Sequence, residues 1–277
     1  MNLAYLLPRL ARRFLPEKLV RVLLLRGLVI QPGIETSNPA GAVQRYADVL
    51  ASKGASFNEK RVLVFGYGGR YDIGLELLRA GAAHVVLCDK FAPPDEEHNR
   101  RHFGAEDRYF TATSQGLRPR SEWMTLLQDD ILDAAVRHAA GAVDVVLSSS
   151  VYEHVDQVEA VTRALASLTR PGGIHIHYVD LRDHFFKYPF EMLRFSARTW
   201  YRWLNPSSNH NRYRLWDYRR AFDESFAEVE IEVLGRDEAA FRKLLPRIRP
   251  EFVSGQIEDD AVTLICVVAS KPHKPVR

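Results

Sequence analysis

Apolar runs of strand length alternate along this chain with segments in which apolar residues recur at helical spacing. The predicted strands are 61–65 (RVLVF), 84–89 (HVVLCD), 123–127, 142–150 (AVDVVLSSS) and 171–180 (PGGIHIHYVD). The predicted helices are 42–53, 73–82 and 155–169. Strands that alternate with helices predict a parallel sheet covered on both faces. Residues 91–122, with Pro93-Pro94 and many charges, are predicted to be irregular.

The pattern changes in the last fifth of the chain. Two predicted strands, 227–235 (AEVEIEVLG) and 261–270 (AVTLICVVAS), flank a helical stretch at 237–245, which fits an antiparallel pair at the sheet edge. We therefore predict an α/β fold, a doubly wound, Rossmann-like sheet of seven mostly parallel strands with the last strand antiparallel. An N-terminal helical arm or lid is expected at 1–56, and a main domain at 57–277.

An inserted segment at 185–220 is expected to cover the carboxyl edge of this sheet. Residues 190–220 hold seven arginines, two acidic residues and eight aromatic residues. Arg194, Arg198 and Arg202 recur every four residues, which predicts one stripe on a helix. Such a stripe is usually a solvated face, but the aromatic neighbours Trp200 and Trp203 fit a substrate cover as well.

The first 30 residues form a basic arm, with six Lys and Arg side chains against Glu17 alone. Arginines interrupt its apolar runs every few residues, which excludes a secretory signal and a membrane span. Two interpretations remain open. The arm packs over its own domain, or it lies on an anionic membrane surface, at the inner face of the membrane.

Composition narrows the class of protein. The 277 residues are 46% hydrophobic and 26% charged, which is typical of a soluble globular protein. The net charge of +3 gives no reason to expect a nucleic-acid partner. Cys88 and Cys266 lie in apolar runs, which predicts buried free thiols in a reducing, cytoplasmic compartment. No metal-ligand spacing occurs, so no metal site is predicted.

The turn after the first strand is glycine-rich, Gly66-Tyr67-Gly68-Gly69. Glycines let a ligand approach the backbone closely, and Asp89, at the end of the next strand, could accept hydrogen bonds from a ribose. The dinucleotide fingerprint needs a third glycine where Tyr71 stands, which disfavours a nicotinamide oxidoreductase, and no P-loop sequence occurs. The glycine loop together with Asp89 therefore suits a ligand that contains adenosine but no pyrophosphate.

These motifs, with VDVVLSSSVYEHV and LTRPGGIHIH, resemble the class I S-adenosylmethionine-dependent methyltransferases over residues 57–270. The resemblance implies S-adenosylmethionine as cofactor, with the glycine loop on its methionine part, the acid on its ribose and a later acidic-apolar pair beside its adenine. The cofactor residues implied are Gly66, Tyr67, Gly68, Gly69, Asp89, Lys90, Asp130, Ile131 and Ser148. Two positions depart from the family pattern: Val64, where an acid is frequent, and Arg70, where a third glycine is frequent.

A longer stretch, IHYVDLRDHFF followed by HNRYR, resembles bacterial methyltransferases of polysaccharide and glycan biosynthesis. This resemblance implies O-methylation of a sugar, a glycan or a related polar small molecule. The acceptor-binding residues expected from it are Arg182, His210, Asn211 and Arg212. A non-catalytic scaffold that kept the fold and binds the cofactor is the alternative.

The segment DLRDH follows the predicted strand 171–180 at the same sheet edge as the glycine loop. Methyl transfer to a hydroxyl needs alignment and removal of one proton, which suits a histidine base oriented by a carboxylate. We predict His184 as the base, oriented by Asp180 or Asp183, and the alternative is a solvated polar loop.

His154 lies at the end of the neighbouring strand and is a second candidate for the base. With Glu153, it could instead mark only an acidic helix start. His175 and His177 alternate with isoleucines, so they share one face of a strand, where satisfied interior side chains are expected.

Overall fold

A computed structural model describes residues 3–13, 38–106, 108–114, 116–183, 188–205 and 210–273. Its strands are β1 (Arg61–Phe65), β2 (His84–Cys88), β3 (Phe110–Thr113), β4 (Gly116–Pro119), β5 (Met124–Leu127), β6 (Val143–Ser149), β7 (Thr169–Asp180), β8 (Phe226–Arg236) and β9 (Val262–Pro272). Its longer helices are α1 (Leu3–Arg13), α2 (Pro39–Ser52), α3 (Asp72–Arg79), α4 (Glu96–Phe103), α5 (Ala134–Ala140), α6 (Val158–Leu168), α7 (Leu215–Asp223) and α8 (Glu238–Leu244).

Seven strands form one sheet in the order β5-β2-β1-β6-β7-β9-β8. β1 lies between β2 and β6 and is parallel to both, and β7 continues the parallel set beside β6. β9 is antiparallel to its two neighbours, β7 and β8. The doubly wound sheet with an antiparallel last strand is therefore confirmed. Strand order reverses at β1 and β6, so a ligand is expected at their carboxyl ends.

Alternate residues of each central strand enter opposite cores, because side chains of a strand point to alternate faces. Val62 and Val64 of β1 pack with Tyr46 and Leu50 of α2 on one face of the sheet. Leu63 packs on the other face, in a cluster that includes residues of α6 and α7. A third cluster lies under the inserted segment, where Phe190, Trp200 and Leu204 meet Phe241 of α8.

The prediction that residues 91–122 are irregular is wrong. They contain α4 and the β3–β4 hairpin. α4 has the sequence EEHNRRHF and buries only Asn99 and Phe103, so it lacks the apolar period that marks a helix. Each hairpin strand has four residues, too few for a visible alternation.

The predicted helical stripe of arginines is also wrong. Arg194 ends a 3₁₀ turn (Glu191–Arg194) and is paired with Glu191, whereas Arg198 lies in a separate helical turn (Ala197–Thr199). Arg202 follows in a π-helix (Trp200–Leu204). The backbone is extended at Phe195 and Ser196, so no single helix carries the three side chains.

His175 and His177 are buried side by side on one face of β7, as predicted. Nε2 of His175 lies 2.6 Å from Oγ1 of Thr169, and its Nδ1 lies 3.2 Å from Nε2 of His177. Nδ1 of His177 lies 2.7 Å from Oγ of Ser148. Burial lowers the pKa of His175 to about 3 and that of His177 well below its ordinary value. Both rings are therefore neutral core residues.

Cys88 and Cys266 are buried free thiols, as predicted. Burial raises the pKa of Cys88 to about 12 and that of Cys266 to about 11, so neither thiol ionises near neutral pH. Among the helices of the described ranges, none has the length and apolarity that a membrane crossing requires.

Candidate active site

The glycine loop follows β1 at the carboxyl edge of the sheet. Gly66, Gly68 and Gly69 have φ angles of 82°, 72° and 85°, which favour glycine. A Cβ at Gly66 would lie 2.3 Å from a methyl carbon of Val151, and one at Gly69 would lie 2.3 Å from the carbonyl oxygen of Pro93. A Cβ at Gly68 would meet no atom within 4 Å. Gly68 therefore offers bare backbone to a ligand.

The carboxylate of Asp89 is fixed against this loop. Its Oδ2 accepts a hydrogen bond from the N–H of Gly68 at 3.0 Å, and its Oδ1 accepts from Phe91 and Ala92, both at 2.8 Å. A carboxylate has about four acceptor sites, so about one site remains, on Oδ2 beside Gly68. This geometry leaves room for a hydrogen bond from one ribose hydroxyl.

The other predicted cofactor residues have different surroundings. Nζ of Lys90 lies 2.7 Å from Oδ2 of Asp130, a hydrogen bond that holds the pKa of that carboxyl below its ordinary value. Ile131, Tyr67 and Ser148 are buried. Ser148 is paired with His177, so the structure does not bring its hydroxyl to the open edge.

Neither departure from the family pattern opens the loop. Val64 is fully buried in the core that faces α2. Arg70 turns to Asp95, with 3.2 Å between its Nε and Oδ2. Arg70 therefore braces the start of α4, where Asp95 is the N-cap residue.

The segment DLRD turns sharply where β7 ends. Arg182 folds back on Asp180 in a bidentate pair, with Nε at 2.9 Å from Oδ1 and the second guanidinium nitrogen at 2.7 Å from Oδ2. The backbone N–H of Arg182 also donates to Oδ1 at 2.9 Å. The turn engages Asp180 within its own loop.

Asp183 is fully buried and connects this loop to the N-terminal helix. It accepts hydrogen bonds from the hydroxyl of Tyr5 and from the guanidinium of Arg9, both on α1. Burial, reinforced by the Asp183 charge, raises the pKa of Tyr5, so its proton stays in this contact. Asp183 thus anchors α1, and His184, the predicted base, lies outside the described residues.

The predicted acceptor residues His210, Asn211 and Arg212 are buried and bind backbone carbonyl groups. Nε2 of His210 lies 2.9 Å from the carbonyl oxygen of Arg182. The Asn211 amide donates to the carbonyl groups of Tyr152 and Val155, at 2.8 and 2.9 Å. In the structure they brace the loops of the site from inside, and acceptor binding by them stays a prediction. His154 is partly exposed beside this brace, with its ring centre 5.8 Å from that of His210.

Glu153 was missed as a candidate. It lies in the turn after β6, is 1% exposed, and neither carboxylate oxygen has a hydrogen-bond partner among the described residues. Burial raises the pKa of Glu153 well above its ordinary value, and the charge of Asp180 adds to the shift. Its neighbours in VYEHV indicated a helix start, and only the three-dimensional structure shows the missing partner.

The structure thus brings a glycine loop, the carboxylate of Asp89 and a set of acidic and imidazole groups to one sheet edge. The model of a protein family described as "Methyltransferase domain" matches residues 38–228. The chain belongs to this methyltransferase family. The match covers α2 to the first residues of β8 and includes the whole candidate site.

Three solved methyltransferases are similar to this chain at low identity. Geranyl diphosphate C-methyltransferase of Streptomyces coelicolor, bound to S-adenosyl-L-homocysteine, has 11% identity and a TM-score of 0.49, over 82% of this chain and 79% of its own. An S-adenosylmethionine-dependent methyltransferase of Mesorhizobium loti has 15% identity and a TM-score of 0.46, over 82% of this chain and 96% of its own. Phosphoethanolamine N-methyltransferase 2 of Haemonchus contortus, bound to S-adenosyl-L-methionine, has 12% identity and a TM-score of 0.49, over 85% of this chain and 53% of its own. Among curated proteins, none matches this chain.

Membership of the family confirms the predicted class I methyltransferase domain and its cofactor, S-adenosylmethionine. The residues at the edge fit that cofactor, because Gly68 leaves room for a close approach and Asp89 keeps an acceptor for a ribose hydroxyl. The acceptor, the atom methylated and the base remain predictions.

Proposed function

We propose that this methyltransferase transfers the methyl group of S-adenosylmethionine to a hydroxyl of a sugar, a glycan or a related polar small molecule. One observation carries the proposal: the open backbone at Gly68 and the fixed carboxylate of Asp89 lie at the same sheet edge as the polar turns after β6 and β7. A cofactor bound at Gly68 and Asp89 would face groups in these turns that can bind and deprotonate an acceptor.

The bound cofactor supplies an electrophilic methyl group on a sulfonium. The glycine loop and Asp89 would hold and orient it. The acceptor hydroxyl would lose one proton as its oxygen bonds the methyl carbon, and the sulfur–methyl bond would break, which leaves S-adenosylhomocysteine as a neutral thioether. We propose His184 as the group that takes this proton and His154 as the alternative. Asp180 and Asp183 are held by Arg182 and by α1, so they shape the pocket wall and do not move a proton themselves.

Asp89→Ala is expected to weaken S-adenosylmethionine binding by about 1.5–3 kcal/mol, since it removes a charged hydrogen-bond acceptor. The substitution also frees the N–H of Gly68, which Asp89 holds in place. Calorimetric titration measures the dissociation constant. Asp237→Ala is the matched control, because Asp237 also accepts a backbone N–H, from Ala240 at 2.9 Å, but lies at the start of α8. Equal affinity in wild type and Asp89→Ala would contradict the cofactor assignment.

His184→Ala and His154→Ala, made in parallel, are expected to identify the base. Loss of a positioned base lowers turnover by about 10²–10⁴, so one variant should show that loss while calorimetry finds normal cofactor affinity. Turnover is measured with methyl-labelled cofactor against a panel of nucleotide sugars and glycans. His138→Ala, on the exposed side of α5, is the control. Full turnover in both variants would rule out a histidine base.

A further inference from the structure

Helix α1 buries one side on the domain and exposes two leucines on the other. Tyr5 and Arg9, one turn apart, are buried against the loop after β7 and bind Asp183, and Leu6 and Leu10 are partly buried beside them. Leu3 and Leu7, also one turn apart, face outward and are 55% and 61% exposed. The helix therefore presents an apolar strip to its surroundings in addition to the side that packs on the domain.

Exposed aromatic side chains lie on the element that α1 packs against. The guanidinium of Arg9 lies 4.6 Å from the ring centre of Trp200 and donates to the carbonyl oxygen of Leu204 at 3.0 Å, so α1 is fixed on the π-helix Trp200–Leu204. The same π-helix exposes Tyr201 by 47% and Trp203 by 42%. We name Leu3, Leu7, Tyr201 and Trp203 the outer apolar face.

Two arginines lie beside this face. Arg198 and Arg202 are exposed on the neighbouring turns, and the Arg202 guanidinium lies 5.6 Å from the Trp203 ring centre. Asp156 is the acidic residue whose charge acts on Tyr201. The mixture of leucine, tryptophan, tyrosine and arginine is that of helices that lie in the headgroup region of a bilayer.

We propose that the outer apolar face docks on the surface of an anionic lipid bilayer. The leucines and aromatic rings would enter the headgroup boundary, and the arginines would meet anionic headgroups. A second copy of this chain is a poorer occupant, because the same arginines would face each other across a twofold contact. The proposal does not depend on the methyl acceptor.

Docking in this way fixes the orientation of the catalytic edge. Arg9 and Tyr5 tie α1 to Asp183, which lies three residues after the end of β7. The acceptor side of the site would then lie about one helix diameter, roughly 10 Å, from the bilayer surface. An acceptor carried on a lipid, or one concentrated at the membrane, would reach it directly.

The test is flotation of the full-length protein with vesicles. We expect wild type to float with vesicles of equal parts phosphatidylcholine and phosphatidylglycerol, and to stay behind with phosphatidylcholine alone. The double variant Leu3→Ser/Leu7→Ser should bind the anionic vesicles at least about tenfold more weakly, as burial of a leucine side chain is worth that factor or more. Leu234→Ser, at a leucine 41% exposed on β8, should float like wild type.

Calorimetric titration with S-adenosylmethionine shows that the double variant is folded, independently of lipid. Unchanged flotation of a folded double variant would overturn the proposal, and so would a wild-type protein that ignores anionic vesicles. A dimer in sedimentation that dissociates in the double variant would identify a second copy as the occupant instead, and would overturn it as well.

Discussion

Glu153→Gln is expected to stabilise the folded protein increasingly as the pH rises. The unfolded chain releases the Glu153 proton near its ordinary pKa, whereas burial without a partner raises the pKa of Glu153 in the folded protein. Above the unfolded pKa, about 4.3, the folded state therefore binds more protons and wild-type stability falls with pH. Glutamine has no such loss, so the difference should grow by about 1.4 kcal/mol per pH unit until the folded-state pKa is reached.

Urea unfolding of both proteins from pH 5 to pH 8 measures this difference, which should widen as the pH rises. Glu191→Gln is the control, because Glu191 is also buried but is paired with Arg194, so its loss should destabilise the protein. Parallel stability curves for wild type and Glu153→Gln would mean that Glu153 is ionised and compensated in the fold. A difference that widens with pH would show that Glu153 lowers the stability of the protein at the carboxyl edge of the sheet. A bound acceptor could donate the hydrogen bond that Glu153 lacks there.

Arg9→Met is expected to release α1 from the domain. Arg9 and Asp183 form an ion pair whose side chains are 4% and 0% exposed. Removal of one member of a buried pair costs about 3–5 kcal/mol, because the other charge, here Asp183, stays buried without its cationic partner. The amide protons of α1 should therefore lose most of their protection against hydrogen exchange, and the midpoint of urea unfolding should fall.

A second substitution separates charge from packing. Asp183→Asn, added to Arg9→Met, removes the stranded charge and should restore part of the protection, as a double-mutant cycle would show. Arg242→Met is the control, because Arg242 pairs with Glu238 on an exposed face of α8. Full protection of α1 in the Arg9→Met variant would mean that the Tyr5 contact and apolar packing hold the helix without the ion pair.

Local patterns were sufficient to predict most of the sheet. β1 and β2 are short apolar runs, and each is followed by a glycine or an acidic residue, so their length, their apolarity and the residues that end them identify them as strands. The same signals located the glycine loop, since Gly66, Gly68 and Gly69 must have positive φ where the chain turns into α3. Interior histidines were predictable too, because alternation placed His175 and His177 on one face.

Contacts between distant parts of the chain were not predictable. Asp183 binds residues more than 170 positions away, and nothing in DLRD shows that α1 takes its carboxylate. The segment 210–212 (HNR) has the composition of a binding motif, yet His210 and Asn211 form hydrogen bonds with backbone carbonyl groups of loops that pack against them. Glu153 shows the converse: an ordinary turn residue becomes unusual only because the fold closes over it. Its carboxylate oxygens lack a well-formed hydrogen bond among the described residues, and the nearby Ser150 hydroxyl and Asp180 N–H only moderate the rise of its pKa.

β8 forms the outer strand on one side of the sheet, and it is 11 residues long. Glu228, Glu230 and Glu232 lie on one face of it and alternate with Val229 and Ile231, which pack on the core. Glu228 and Glu230 are paired with Lys271 and Lys53, so a second molecule that paired edge to edge would have to accommodate a row of charged side chains instead of an apolar strip. The strand that closes this sheet therefore also protects the protein from aggregation through its longest open edge.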